Sequence, residues 1–186
     1  MTGIASPGQL RWAFLRRAVI TVPLILFLGS LSGKAAGSGE ANGWFASLTR
    51  PEIYPPAWAF PVVWTILYIL LGLALAMILY ARGAKGRALA FTLFGAQMLM
   101  NLAWSPLFFA AHQLEASFWL IIAMLITASA TAISFWPIRK MAAVLMLPYL
   151  AWISFAGLLN YQFWQLNKAI PATSAATSSM IVLPNR

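Results

Sequence analysis

Residues Ala57 to Ala81 read AWAFPVVWTILYILLGLALAMILYA, a run of 25 residues with no charged side chain. At 1.5 Å of rise per residue such a run reaches about 37 Å as a helix, enough to cross a hydrocarbon core of about 30 Å. Inside lipid every backbone N–H and C=O must be paired within the segment, so a lone apolar run of this length spans as an α-helix. Working outward, four further stretches read the same way: Ala18 to Gly33, Ala88 to Ala111, Ala116 to Ile138 and Met141 to Asn167. The expected fold is an all-α integral membrane protein, a bundle of five transmembrane helices. Composition agrees, since 62% of the chain is hydrophobic and 8% charged, against about 25% charged in a soluble domain.

The organisation follows from these spans. Residues 1–17 form a basic N-terminal segment, residues 18–167 the membrane domain, residues 34–56 its one long loop, and residues 168–186 a Ser-, Thr- and Ala-rich tail expected to be disordered. The first span is short and stands behind Arg11, Arg16 and Arg17, a pattern that also fits a cleaved secretory signal. The long loop begins rich in Gly, Ala and Ser. Its second half carries Trp44-Phe45 and is stiffened by Pro51, Pro55 and Pro56, so that half is expected to be ordered. Long loops in compact proteins commonly act as lids.

Charge sets an orientation. The N-terminus, the loop with Arg82, Lys85 and Arg87, and the loop with Arg139 and Lys140 fall on one side, with eight cations and no acid. All three acids, Glu40, Glu52 and Glu115, fall on the other. Basic loops stay cytoplasmic, so the N-terminus is expected inside and the C-terminus outside. A net charge of +9 on so apolar a chain points to anionic membrane lipid and not to nucleic acid. Helical spans favour the bacterial inner membrane.

The same residues exclude much chemistry. With no Cys and one His there is no donor set for a dedicated metal site, and no thiolate nucleophile. Glu40, Glu52, Glu115 and His112 all fall in loops, so no span carries the ionisable group that proton- or sodium-driven transport uses. No Ser–His–Asp set, carboxylate pair or phosphate loop is present. What remains in the spans is uncharged. Gln97, Asn101 and Ser105 recur every four residues on one face of the third helix, suited either to interhelical hydrogen bonds or to a cavity. Trp64 and Tyr68 share a face of the second helix; Tyr149, Trp152, Ala156 and Leu159 share one of the fifth, with small Ala156 and Gly157 beside the large ring. Large rings, small neighbours and one polar stripe suit a pocket for a flat apolar ligand, although such stripes also arise from packing alone.

Four blocks carry a resemblance. The runs Trp44-Phe45-Ala46-Ser47-Leu48-Thr49-Arg50-Pro51, Pro55-Pro56-Ala57-Trp58-Ala59-Phe60 with Trp64-Thr65-Ile66-Leu67-Tyr68, Gln97 to Phe109 including Asn101-Leu102-Ala103-Trp104-Ser105-Pro106, and Pro148-Tyr149-Leu150-Ala151-Trp152 with Leu159-Asn160-Tyr161 resemble, in order, the tryptophan-rich sensory protein family. It is also called the translocator, peripheral benzodiazepine receptor or TspO/MBR family. The resemblance implies a five-helix membrane protein, often a homodimer through its third helix, that binds porphyrin, haem or another lipophilic small molecule under the first loop. Carried over by position, it implies a pocket of Phe60, Trp64, Tyr68, Asn101, Ser105, Trp152, Ala156 and Leu159, with Phe45, Pro55 and Pro56 as the lid; Tyr149 joins them on the face reading above. It implies a binding or sensory protein, with transport, or light-dependent porphyrin breakdown at Trp64 and Trp152, as alternatives. The chain also departs from the family. Glu52 and Ile53 stand where the loop usually bears tryptophan, and the cation spacing after Tyr161 does not match the animal cholesterol pattern.

Overall fold

The computed structural model describes residues 7–168, so the expected tail lies outside the described residues apart from Lys168. Five helices long and apolar enough to cross a membrane are present. In chain order the elements are α1 (Pro7–Ala35), a short α2 (Gly43–Ser47), α3 (Ala59–Tyr80), α4 (Arg87–Ser105) continued by a π-helical turn (Pro106–Ala110), α5 (Leu114–Phe135), α6 (Lys140–Leu145) and α7 (Leu147–Leu166). The five expected spans are all found, with altered ends.

The first differs most, because α1 begins at Pro7 and not at Ala18. Its 29 residues reach about 43 Å, the thickness of a bilayer with its headgroups, and proline is well suited to a first helical turn. Arg16 and Arg17 therefore ride on the helix and not ahead of it, with the Arg17 guanidinium donating to the Ala13 carbonyl. The fifth span is two helices, α6 and α7, meeting at Met146. Pro148 has no N–H to donate to Val144, four residues back, and its ring crowds that carbonyl, so the helix restarts one turn on.

Packing closes a ring in which α1 contacts α3 and α4, α3 contacts α6, and α5 lies between α4 and α7. The outer surface is apolar: Ile133 is 73% exposed, Val19 70% and Leu99 69%, a coat suited to lipid. Two close approaches tie α1 to the rest. A Cβ on Gly72 would stand 2.6 Å from Val22 Cα, so only glycine lets α1 and α3 meet, and there Thr21 Oγ1 donates to the Gly72 carbonyl at 2.7 Å. Further along, Pro106 cannot donate to the Leu102 carbonyl, and Ser32 Oγ on α1 donates to it at 2.6 Å instead.

One end of the bundle gathers Arg17, Arg87, Arg139 and Lys140; Arg17 and Arg139 both stand over the Tyr80 ring, at 5.5 and 5.8 Å. The other end is covered by the loop containing α2. There an aromatic cluster of Phe45, Phe108 and Phe163 with Leu48 and Leu159 forms beneath the loop, apart from the main core around Leu71, Ile78, Phe135 and Ile153.

Candidate functional site

A cavity of about 530 Å³ lies between the helices under the long loop. Helix periodicity builds its walls. On α3, Phe60, Trp64 and Tyr68 follow at four-residue steps, so the face descends about 12 Å from the loop end into the bundle. On α7, Trp152, Ala156 and Leu159 face it, and the Trp152 ring meets Phe60 at 5.9 Å. Asn101 and Ser105 come from α4, and α1 supplies Gly29, Ser30, Gly33 and Lys34, which makes the first helix part of the wall.

A polar chain closes the inner end. Tyr68 Oη donates to Asn101 Oδ1 at 3.1 Å, and Asn101 Nδ2 donates to Tyr149 Oη at 3.3 Å, a chain running from the cavity wall into the core. Asn101 is 5% exposed, and it meets both sequence readings, cavity lining and interhelical bond. Gln97, the first member of the same stripe, is fully buried off the cavity wall with neither amide atom paired among the described residues. Trp152 Nε1 is also buried without a partner among the described residues, although its ring lines the cavity. Its donor is available to an acceptor placed beside it.

The loop is held over this cavity by three devices. Asn42 caps α2, accepting from Phe45 N–H at 3.0 Å while its Nδ2 donates to the Gly37 and Phe109 carbonyls, so the helix and the π-helical turn share one side chain. Arg50 pairs with both Glu40 oxygens, at 3.0 and 2.6 Å, beneath a third bond from Tyr54 Oη at 3.3 Å. The hydrogen bonds from Arg50 hold the Glu40 carboxyl below its ordinary pKa, and burial pushes the Tyr54 phenol up to about 12. At the far end Asn167 accepts from Thr49 N–H at 2.9 Å and donates to Thr49 C=O at 3.0 Å, fastening the loop to the end of α7. Phe45 then drops into the aromatic cluster, 5.2 Å from Phe109 and 5.6 Å from Phe163.

Of the residues singled out from sequence, Phe45, Phe60, Trp64, Tyr68, Asn101, Ser105, Trp152, Ala156 and Leu159 converge on the one cavity. Three do not line it. Tyr149 is fully buried behind Asn101, and Pro55 and Pro56 turn the loop into α3 without reaching the wall. Residues that sequence reasoning did not single out for this site include Tyr54, Trp104, Phe108, Asn160, Phe163 and Lys34. Trp104 donates from Nε1 to Asn160 Oδ1 at 3.2 Å, and Asn160 donates on to the Leu114 carbonyl at 2.9 Å. His112 lies off the wall, stacked on Trp44 with ring centres 4.2 Å apart.

The sequence profile of the TspO/MBR family matches residues 19–165, most of the chain and every wall of the cavity. The chain belongs to the TspO/MBR family. This TspO/MBR protein is 37% identical over 150 residues to the translocator protein of Bos taurus, covering 78% of the chain and 87% of that relative. It is 34% identical over 157 residues to the tryptophan-rich protein TspO of Chlorobaculum tepidum, covering 82% and 99%. To protein CrtK of Rhodobacter capsulatus it is 30% identical over 150 residues, covering 80% and 94%.

Proposed function

We propose that this multi-pass membrane protein binds a flat, amphipathic tetrapyrrole, porphyrin or haem, and acts as a sensor of it. One observation carries the reading: a partly open, mainly apolar cavity with flat aromatic walls and a loop across its mouth. Binding rests on ring stacking and exclusion of water, with orientation from a few hydrogen-bonding groups. The macrocycle lies between Trp64 and Trp152, with Phe60, Tyr68, Ala156 and Leu159 around it and Asn101 and Ser105 at its inner edge. Phe45, Pro55 and Pro56 belong to the lid, and Tyr149 acts by holding Asn101. The protein sits in the inner membrane with its basic end in the cytoplasm. A homodimer forms through α4 and the π-helical turn that continues it, where Ala103 and Ala110 leave an open small-residue seam. The Gly72 seam is already used inside the chain by Val22.

The test is quenching of tryptophan fluorescence by protoporphyrin in purified protein, beside a variant carrying Trp64→Phe and Trp152→Phe. Saturable micromolar quenching that the variant weakens supports the reading; saturable quenching of equal affinity in both places the ligand elsewhere. The name of the mammalian relative, translocator protein, favours a second reading in which the ligand is carried across the membrane. Flux into sealed vesicles separates the two, since a sensor saturates at stoichiometry and a carrier does not. Light-dependent breakdown of bound porphyrin is a variant of the first reading, and multiple turnovers with one product distinguish it.

A further inference from the structure

Two cations stand near the mouth of the cavity, and their surroundings differ. Arg50 is spent. Both of its pairing nitrogens are on the Glu40 carboxylate, and its guanidinium lies 5.5 and 5.2 Å from the centres of the Phe45 and Tyr54 rings. Lys34, in the last turn of α1, lines the same cavity and has no carboxylate partner among the described residues. Glu40 is the one acid on the wall, and Arg50 already neutralises it. Glu52 and Glu115 are exposed and off the wall. Among the described residues the mouth therefore carries one uncompensated positive charge. Lys34 is exposed, so its pull on an anion at the mouth is that of a surface charge, modest in size and screened by salt. Below it the walls are aromatic, and the hydrogen-bonding groups Tyr68 and Asn101 lie deepest.

We propose that Lys34 reads an acidic edge on the ligand, so that this site selects flat aromatic carboxylates over their neutral counterparts and seats them with the carboxylate toward the loop. The inference rests on the binding reading above and adds the charge and direction of the ligand. Arg50 takes no part in this contact, because both of its terminal nitrogens are already held by the Glu40 carboxylate.

The experiment compares protoporphyrin, which has two carboxylates, with its neutral dimethyl ester, by fluorescence quenching on the full chain and on Lys34→Gln, Lys34→Arg and Arg50→Gln. The expected result is that Lys34→Gln weakens the diacid by up to about fivefold, the upper end for an exposed ion pair, and leaves the diester unchanged. Lys34→Arg keeps the preference for the diacid, and Arg50→Gln alters both ligands by the same factor through the loop. Raising the salt concentration narrows the gap between diacid and diester in the unsubstituted chain and not in Lys34→Gln. An equal effect of Lys34→Gln on both ligands, or no effect on either, overturns the assignment while leaving the pocket intact. If neither ligand quenches saturably even in the unsubstituted chain, the binding reading fails and this inference falls with it. A loss of the diacid preference in Arg50→Gln alone assigns the contact to Arg50 and overturns it too.

Discussion

Gly29 and Gly72 face neighbours that leave no room for a methyl group, while Gly95 on α4 faces nothing within 4 Å. A Cβ on Gly72 meets the Val22 backbone, which cannot swing aside, so Gly72→Ala should cost about 1–3 kcal/mol and lower the thermal midpoint in detergent. Gly95→Ala should be neutral or stabilise by about 0.5–1 kcal/mol, as for any open helix glycine. At Gly29 a Cβ would lie 2.2 Å from the Tyr68 ring, which would have to shift away from Asn101. Gly29→Ala should therefore weaken porphyrin binding about fivefold, the scale of one hydrogen bond, and more than it affects stability. Asn101→Leu strands both the Tyr68 and the Tyr149 hydroxyls, and should cost about 1–3 kcal/mol of unfolding free energy. The side chains of this cavity were legible where helical spacing groups them, as with Trp64 and Tyr68 or Trp152 and Ala156. Asn160 and Asn167 were not, because each bonds backbone remote in sequence: Leu114, 46 residues away, and Thr49, 118 away. No local pattern encodes such a pairing.

Among the elements, the long loop is where chemistry tunes order. Glu40 has a lowered pKa in the folded loop, so its pairing with Arg50 contributes fully above the ordinary carboxylate value of 4.5 and is lost as pH falls through the lowered value. The Tyr54 phenol has a raised pKa, so its contribution is complete below 10 and is lost as pH rises toward about 12. Hydrogen exchange of the amides around Phe45 should accelerate, beyond its intrinsic pH dependence, at both extremes, and Glu40→Gln should remove the acid limb. Flat protection factors across the acid limb in the unsubstituted chain would sink this account. Sequence marked the second half of the loop as ordered through its prolines and Trp44-Phe45. It did not reveal α2, since five residues are too few for a periodic signal. Asn42, three residues ahead of Phe45, was the available clue, being a side chain of the kind that caps helices. The break between α6 and α7 was similarly encoded in one residue, Pro148, within a run whose apolar character is unbroken.

For the whole molecule, the number of spans and their order were readable because hydrocarbon imposes a length and forbids charge over it. The arrangement of helices was not, since nothing in an apolar run names its neighbour. The structure settles it through small contacts: Gly72 against Val22, Thr21 to the Gly72 carbonyl, Ser32 to the Leu102 carbonyl. The first helix, whose sequence also fits a secretory signal, is a full member of the ring and supplies four wall residues of the cavity. A chain lacking residues 1–35 should accordingly fail to give a monodisperse particle in detergent.

The proline at 106 has a mechanical consequence. By withholding one main-chain donor it leaves the Leu102 oxygen to the hydroxyl of Ser32, so a bond that normally stiffens a single rod here stitches two rods side by side. Prising α1 from α4 at that level would bare a carbonyl to lipid tails, where an unpaired group costs several kcal/mol. That flank of the bundle is a sewn edge.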